Sequence, residues 1–358
     1  SSRSSSPPLE TSIADLQANN TIPESEFPPR TTRQAKEWRA KSTLRERTFW
    51  ERTWAQRLLS SAVMDESHHT LKDGNRGPVP SMPMWFDHAY LIPTSLFTPV
   101  VQQISMHYGY TWSAPMAFGI YFFSLVGFFM LSAQLFSELG KKFGTFNEEH
   151  RGRDHVPDDS ADVMAGGIIT YFVFRVGKMI LTDYDRNATP LSNFGWDYII
   201  RFQLWFIVMD CFFYTYHRST HEFDFLWRIH QQHHRSKAPT MISSALAGHA
   251  QHFIEIILIP SMTTYIVPMS FHEQWVLYLC LAYVETIGHS GIRVHVANTN
   301  TWLSCLPFGA DLNIEDHDLH HRYGKSGKNY GKQTRVWDKI FGTMEERVET
   351  KDCKTRWI

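Results

Sequence analysis

The chain has 358 residues, with 35 Lys and Arg against 36 Asp and Glu, for a formal net charge of −1. So even a balance argues against a nucleic-acid partner, which calls for a basic surplus. Aromatic residues reach 14% and Trp numbers 12, heavy for a soluble domain and suited to membrane interfaces. The four cysteines, Cys211, Cys280, Cys305 and Cys353, form no C-x-x-C pair, which argues against a disulfide framework or a thiolate zinc site.

Residues 1–31 are rich in Ser, Pro, Glu and Thr and are expected to stay without fixed structure. Residues 32–62 interleave Arg33, Lys36, Arg39, Arg47 and Arg57 with Trp38, Phe49, Trp50, Trp54 and Leu58. That pattern predicts a basic amphipathic helix, which either lies on an anionic cytosolic membrane surface or packs on the domain. The polar region 1–85 lowers the mean hydropathy to −0.31, so the regional pattern matters more than the average. Residues 86–345 read as a membrane domain and 346–358 as a C-terminal tail.

The run from Ser113 to Ser137 carries no charge and exceeds the roughly 20 residues a helix needs to span a bilayer. Weaker apolar runs follow at 92–111, 163–182 (with Arg175 and Lys178), 198–216 (with Arg201 and Asp210), 253–270 and 274–288. These runs have helix length, and lipid-exposed backbone must satisfy its own hydrogen bonds. The expected fold class is therefore all-α: an integral membrane bundle of about four to six membrane helices under a cytosolic helical cap.

The chemistry sits in three histidine boxes: His217-Arg218-Ser219-Thr220-His221, His230-Gln231-Gln232-His233-His234 and His317-Asp318-Leu319-His320-His321. Their i/i+3 and i/i+4 spacings bring imidazoles together on a helix face. Eight imidazoles exceed the three protein ligands of a catalytic zinc and suit a pair of metals. A single His is usually a cap or a satisfied core group; two copies of H-x-x-H-H and one H-x-x-x-H in order are hard to obtain by accident. Asp210, two turns before His217, and Asp318, inside the third box, are candidates to accept a ligand N–H; Asp210, costly unpaired in an apolar run, is expected in that task or in a structural one. Boxes sharing one site must lie on one side of the membrane, so 253–270 and 274–288 are expected to form a hairpin of two crossings. Arg218, Arg228, Arg235, Lys237, Arg322, Lys325 and Lys328 flank the boxes and put that side in the cytosol.

The boxes, with His230–Pro239 (H-Q-Q-H-H-R-S-K-A-P), Gly288–Gly291 (G-H-S-G), Glu315–Arg322 (E-D-H-D-L-H-H-R) and Asn329-Tyr330-Gly331, resemble the fatty acid hydroxylase/sterol desaturase superfamily, closest to its C-4 methylsterol oxidase branch. The resemblance implies two iron ions (zinc possible as isolated). It implies O2-dependent hydroxylation, demethylation or desaturation of a sterol, fatty-acyl or terpenoid lipid in the endoplasmic reticulum membrane. Electrons would come from NAD(P)H through cytochrome b5 or its reductase. It adds His289 as a ligand and His249 as a possible one. Where some relatives carry a fourth H-x-x-x-H, this chain has Glu285-x-x-x-His289. Glu285 is then a ligand, a partner orienting an imidazole, or a helix residue without a metal role, the second being favoured. His88, His252, His272 and His295 read as ordinary histidines.

The competing reading is a zinc-binding membrane protein without redox activity. A metal-dependent hydrolase has no H-E-x-x-H or Ser nucleophile motif to support it. Electron supply is expected from outside the chain, which shows neither H-P-G-G nor a G-x-G-x-x-G after a strand. Lys325, Lys328, Lys332, Arg335 and Lys339 are candidates to steer an acidic donor. A lipid is expected to enter from the bilayer, past lining residues such as Phe206, Phe213, Leu281 and Tyr283.

Overall fold

The computed structural model describes residues 42–44, 46–60, 77–83, 85–146, 153–296, 300 and 308–354. The expectations for residues 1–31 and 32–41 fall outside them. The described residues are helical, with two isolated β-bridges, Ser81 to His295 and Thr145 to Ile292, and no strand. The helices are α1 (Trp54–Ser60), α2 (Trp85–His107), α3 (Ala114–Phe143), α4 (Ala161–Thr182), α5 (Trp196–Glu222), α6 (Asp224–His230), α7 (His249–His252), α8 (Ile259–Ile266), α9 (Phe271–Ser290), α10 (Ile314–Tyr323) and α11 (Val336–Phe341).

The uncharged run becomes α3. Ser113 accepts the Met116 N–H at 3.4 Å, Pro115 occupies the first turn, and Gly144 ends the helix at φ 73°, a start and stop that use the ordinary cap chemistry. Its 30 residues extend about 45 Å at 1.5 Å per residue. Among the described residues, α3 and α4 are the two helices long and apolar enough to cross a membrane. The run 274–288 lies in α9, where 17 of 20 residues are buried. Its neighbours are helices of the same body: α9 packs against α2, α3, α4 and α10. The run 253–270 is interrupted by a π-helical stretch, Phe253–Leu258, between α7 and α8. Such stretches shift the side-chain register and are frequent at functional sites; this one carries Glu255.

The expected single helix over 32–62 is not continuous in its described part. A 3-10 turn at Phe49–Glu51 is closed by the Thr48–Glu51 capping box, and α1 begins afresh at Trp54, where Thr53 Oγ1 accepts the Gln56 N–H at 3.2 Å. Two cap signals within six residues favour two short helices over one long one. Leu44, Ala55 and Leu59 pack on Val156, Ala161, Met164 and Ala165. The Thr43 N–H donates to Asp158 at 3.0 Å. Thr43, Leu44 and α1 are therefore tied to the helical body. At the other end, Val348, Glu349 and Thr350 donate backbone N–H groups to Glu315, so the start of the expected tail is also part of it.

Gly291 follows the last turn of α9 at φ 62°, and a Cβ there would collide with the Arg153 guanidinium. Gly291→Ala is expected to lower stability by at least the roughly 1–3 kcal/mol of a strained left-handed residue. It should also displace Arg153 from Asp318. A thermal midpoint equal to that of the parent protein would contradict this.

Candidate metal centre

All eight box histidines and His289 meet inside the protein, and they sort into two adjoining groups. His217, His221, His230, His234 and His320 form one, and His233, His289, His317 and His321 the other. Within each group the ring nitrogens that face one another lie within 4.8 Å. His217 and His221 leave the last turns of α5, His230 ends α6, and His233 and His234 sit on the 3-10 turn His233–Arg235. His289 leaves the last turn of α9, and α10 carries the third box. The second and third boxes therefore each straddle the two groups. His230 and His234 face one group and His233 the other; His320 faces the first and His317 and His321 the second. The groups touch, with the His234 and His321 rings 4.8 Å apart between centroids.

Backbone carbonyls fix the rings from behind. The Nδ1 atoms of His217, His221, His233, His289, His320 and His321 lie 2.7–3.2 Å from the carbonyl oxygens of Tyr330, Lys325, Leu246, Glu285, Lys328 and Ser236. A carbonyl only accepts, so each Nδ1 carries the proton and each Nε2 presents a lone pair inward. Inward-facing Nε2 atoms then crowd together: His217 to His230 and His230 to His234 at 3.0 Å, His234 to His320 at 3.1 Å and His289 to His317 at 2.9 Å. The Nε2 atoms of His221 and His321 are buried with no partner. Burial first, and the neighbouring imidazoles second, hold His234 and His317 well below the ordinary histidine range. Converging neutral lone pairs are a cation-binding donor set, and two such groups of five and four fit two ions.

The supporting residues do more than spacing foretold. Asn329, at φ 61°, donates to the Asp316 carbonyl at 3.0 Å and accepts from the Glu345 N–H at 2.8 Å. That locked left-handed residue lies between Lys328 and Tyr330, whose carbonyls take His320 and His217. Trp227 packs on His221 and His234, 5.2 and 5.4 Å between centroids. Asp210 touches no ligand nitrogen. It accepts the backbone N–H groups of Lys332, Gln333 and Thr334 at 2.7–3.2 Å and the Thr334 hydroxyl at 2.6 Å. Asp318 also points away from the imidazoles, forming ion pairs with Arg153 at 2.7 Å and Arg322 at 2.8 Å. Both expectations of a direct ligand contact are corrected for the same reason: a buried carboxylate goes to the strongest donors in reach, here a row of amides and two guanidiniums. Asp316 is likewise taken by Arg335 and Arg347, and these pairs hold its carboxyl below the usual range against burial.

Glu285 lies outside both groups. Its carbonyl accepts from His289, its carboxylate is 3.5 Å from the same ring, and its second oxygen is 2.7 Å from Lys332. His249 does not join either; it is exposed at the start of α7. His252, His272 and His295 also stand outside both groups. Sequence spacing missed Lys332 as an interior residue: its ammonium pairs with Glu255 at 3.3 Å and Glu285, and lies 4.3 Å over the Phe213 ring.

A cavity of ≈ 270 Å³ adjoins the cluster, walled by α3, α4, α5, α9 and the turn Met241–Ala245, and Glu285, Thr286 and Lys332 line it. Phe213 and Leu281 line it as expected. Phe206 and Tyr283 do not: both are fully buried in the core, and Tyr283 donates to Asp87 at 2.8 Å.

The model of the fatty acid hydroxylase family matches residues 202–343, a span that contains all nine imidazoles. A fatty acid hydroxylase of a Lecanicillium species is 37% identical over 227 residues, 59% of this chain and 61% of that protein. The alkylglycerol monooxygenase of Homo sapiens is 26% identical over 200 residues, 54% of this chain and 42% of that protein. A very-long-chain aldehyde decarbonylase of Oryza sativa subsp. indica is 30% identical over 188 residues, 51% of this chain and 69% of that protein. The chain thus spans less than two thirds of the length of the first two relatives. No solved structure matches. With a relative 30% identical over more than two thirds of its length and the family pattern laid over the histidine cluster, the chain belongs to the fatty acid hydroxylase family.

Proposed function

We propose that this protein is a membrane-bound, O2-dependent oxidoreductase acting on a C–H bond of a lipid, with two iron ions held by His217, His221, His230, His234 and His320 and by His233, His289, His317 and His321. The observation that carries this reading is the pair of buried imidazole groups, five and four strong, beside an apolar cavity. Bound there, the metals would supply the activation of O2. Hydroxylation places one oxygen atom of O2 in the C–H bond and releases the other as water, consuming two electrons and two protons from an external donor. The chain's own part is positional. Carbonyl contacts fix the imidazole tautomers, Asp210 and Asp318 brace the loops and helix behind them, and the cavity walls keep water from the reacting carbon.

The names of the three relatives above refer to fatty acids, alkylglycerols and very-long-chain aldehydes. A straight-chain lipid is therefore the substrate class favoured here over a sterol or terpenoid. In this reading α3 and α4 cross the endoplasmic reticulum membrane and the histidines face the cytosol. Expression with iron, metal analysis, and anaerobic reduction followed by O2 and a lipid panel test it. Two irons per chain and an oxidised straight-chain product are expected; tightly bound zinc with no product from any lipid under these conditions would overturn the reading in favour of a redox-inactive zinc protein.

A donor such as cytochrome b5 would approach the lysines beyond the third box. Lys325, Lys328 and Lys339 are exposed, whereas Lys332 and Arg335 are engaged in the interior with Glu255, Glu285 and Asp316. Reversing the charge of the three exposed lysines together is expected to slow donor-supported turnover by about tenfold at low salt, an effect that fades as salt screens it. Unchanged turnover at low salt would remove these residues from the docking surface.

A further inference from the structure

One cation in the cavity has no counter-charge among the described residues. Arg175, on α4, lines the cavity and is 7% exposed. It forms no ion pair among the described residues, and its Nε is buried without a partner. Two tyrosine rings hold it: its guanidinium carbon lies 5.2 Å from the centre of the Tyr171 ring and 4.1 Å from that of Tyr278. Ring faces stabilise a cation, and the Tyr171 hydroxyl accepts from the guanidinium, but the buried Nε donor is left unused. The acidic groups of the same cavity are committed elsewhere, since Glu255 accepts from Gln251 and pairs with Lys332, and Glu285 pairs with Lys332. On the same helix Lys178 pairs with Asp183.

A buried guanidinium is costly unless an anion or a set of acceptors meets it, and an ionisable residue in a membrane-length helix marks function by default. Its planar fork matches a carboxylate two bonds at a time. Position supplies the second half of the argument. Tyr278, under the guanidinium, and Glu285, which bonds His289 through its carbonyl, are both on α9 and seven residues apart. Seven residues are about 10 Å of helix rise.

We infer that Arg175 is the specificity residue that takes the carboxylate of a fatty acid, so that the acyl chain runs along α9 toward His289 and is oxidised at a carbon remote from the carboxyl end. This rests on the lipid-oxidation reading above and adds to it the substrate headgroup and the direction in which the chain lies. Lys332 does not compete for the headgroup, because two carboxylates already neutralise it.

The test uses the full chain in phosphatidylcholine nanodiscs, metal-free and iron-loaded, with palmitate, methyl palmitate and hexadecanol as probes. In the parent protein, palmitate is expected to bind at least tenfold more tightly than the two uncharged probes, with and without metal. Arg175→Gln should remove that preference and keep iron content and hexadecanol affinity. Arg175→Lys, which keeps the charge and loses the fork, should fall between. In the iron-loaded parent the oxidised carbon should lie far from the carboxyl end, and in Arg175→Gln the product positions should scatter. Equal affinity of the parent for all three probes overturns the assignment, even if neither variant folds. So does a loss in Arg175→Gln that is as large for hexadecanol as for palmitate, or oxidation next to the carboxyl carbon. An iron-loaded protein that binds palmitate selectively yet oxidises no lipid sinks the catalytic reading and leaves the Arg175 assignment standing.

Discussion

His321→Ala should abolish metal binding in the four-histidine group and lower lipid oxidation by at least about 100-fold, the upper end of what loss of an orienting partner alone costs. The expectation for a direct donor is larger because nothing replaces it. The Nε2 of His321 is buried with no protein partner, and the Ser236 carbonyl holds its Nδ1 at 2.9 Å, so the ring is fixed and its lone pair is committed inward. Ala leaves three imidazoles there, His233, His289 and His317, and a hole that water fills. The comparison is His249→Ala, at an exposed position outside both groups, which should keep both ions and near-parent turnover. Metal per chain, measured after gel filtration with a chelator in the buffer, reads the difference. Retention of two ions by His321→Ala, or loss of one by His249→Ala, would show that the grouping of ligands is wrong.

How much of this was legible in the sequence divides along a physical line. Features set by local spacing were readable: H-x-x-H-H and H-x-x-x-H are helical offsets, and Ser113 to Ser137 is one uninterrupted apolar run. The longer of the two membrane-length helices and eight converging imidazoles follow from those patterns. Features set by the choice of distant partner were not. Asp210 and Asp318 sit near ligands in sequence, and proximity suggested that they bond them. What decides is which donors the fold brings, and these come from Lys332–Thr334 and from Arg153, 122 and 165 residues away from the carboxylates they meet. The burial of α9 was hidden for a related reason. A helix wrapped by other helices and a helix facing lipid are apolar on all sides alike, so the run 274–288 alone does not tell which neighbours cover it. Lys332 and Arg335 read as surface cations because their counter-charges, Glu255, Glu285 and Asp316, lie on other elements.

Asp210→Ala is the second large effect, and it tests whether the loop behind the imidazoles is a support or a bystander. Two carboxylates grip that loop. Asp210 takes three backbone N–H groups and a hydroxyl from Lys332–Thr334, and Asp338 takes the Tyr330 and Gly331 N–H groups at 2.8 and 2.7 Å and the Thr343 hydroxyl at 2.7 Å. Between them there is room for nothing beyond glycine: a Cβ on Gly331 would lie 2.9 Å from Asp338 and 3.3 Å from Asp210. Removing the Asp210 carboxylate strands four donors in the interior, each worth roughly 1–3 kcal/mol when unmet. Some will find water, so a net loss of about 3–5 kcal/mol is expected, as for other broken buried charge networks. The loop's Tyr330 carbonyl holds the Nδ1 of His217 at 2.9 Å, so the damage should reach the five-histidine group and spare the four-histidine group, whose carbonyl partners lie on Leu246, Glu285 and Ser236. Thermal unfolding of the metal-free protein reads the first effect and metal per chain the second. Asp210→Asn, which keeps one acceptor oxygen, should lie between. A metal-free Asp210→Ala protein that melts with the parent and still takes up two ions would mean that the loop holds its place without the carboxylate.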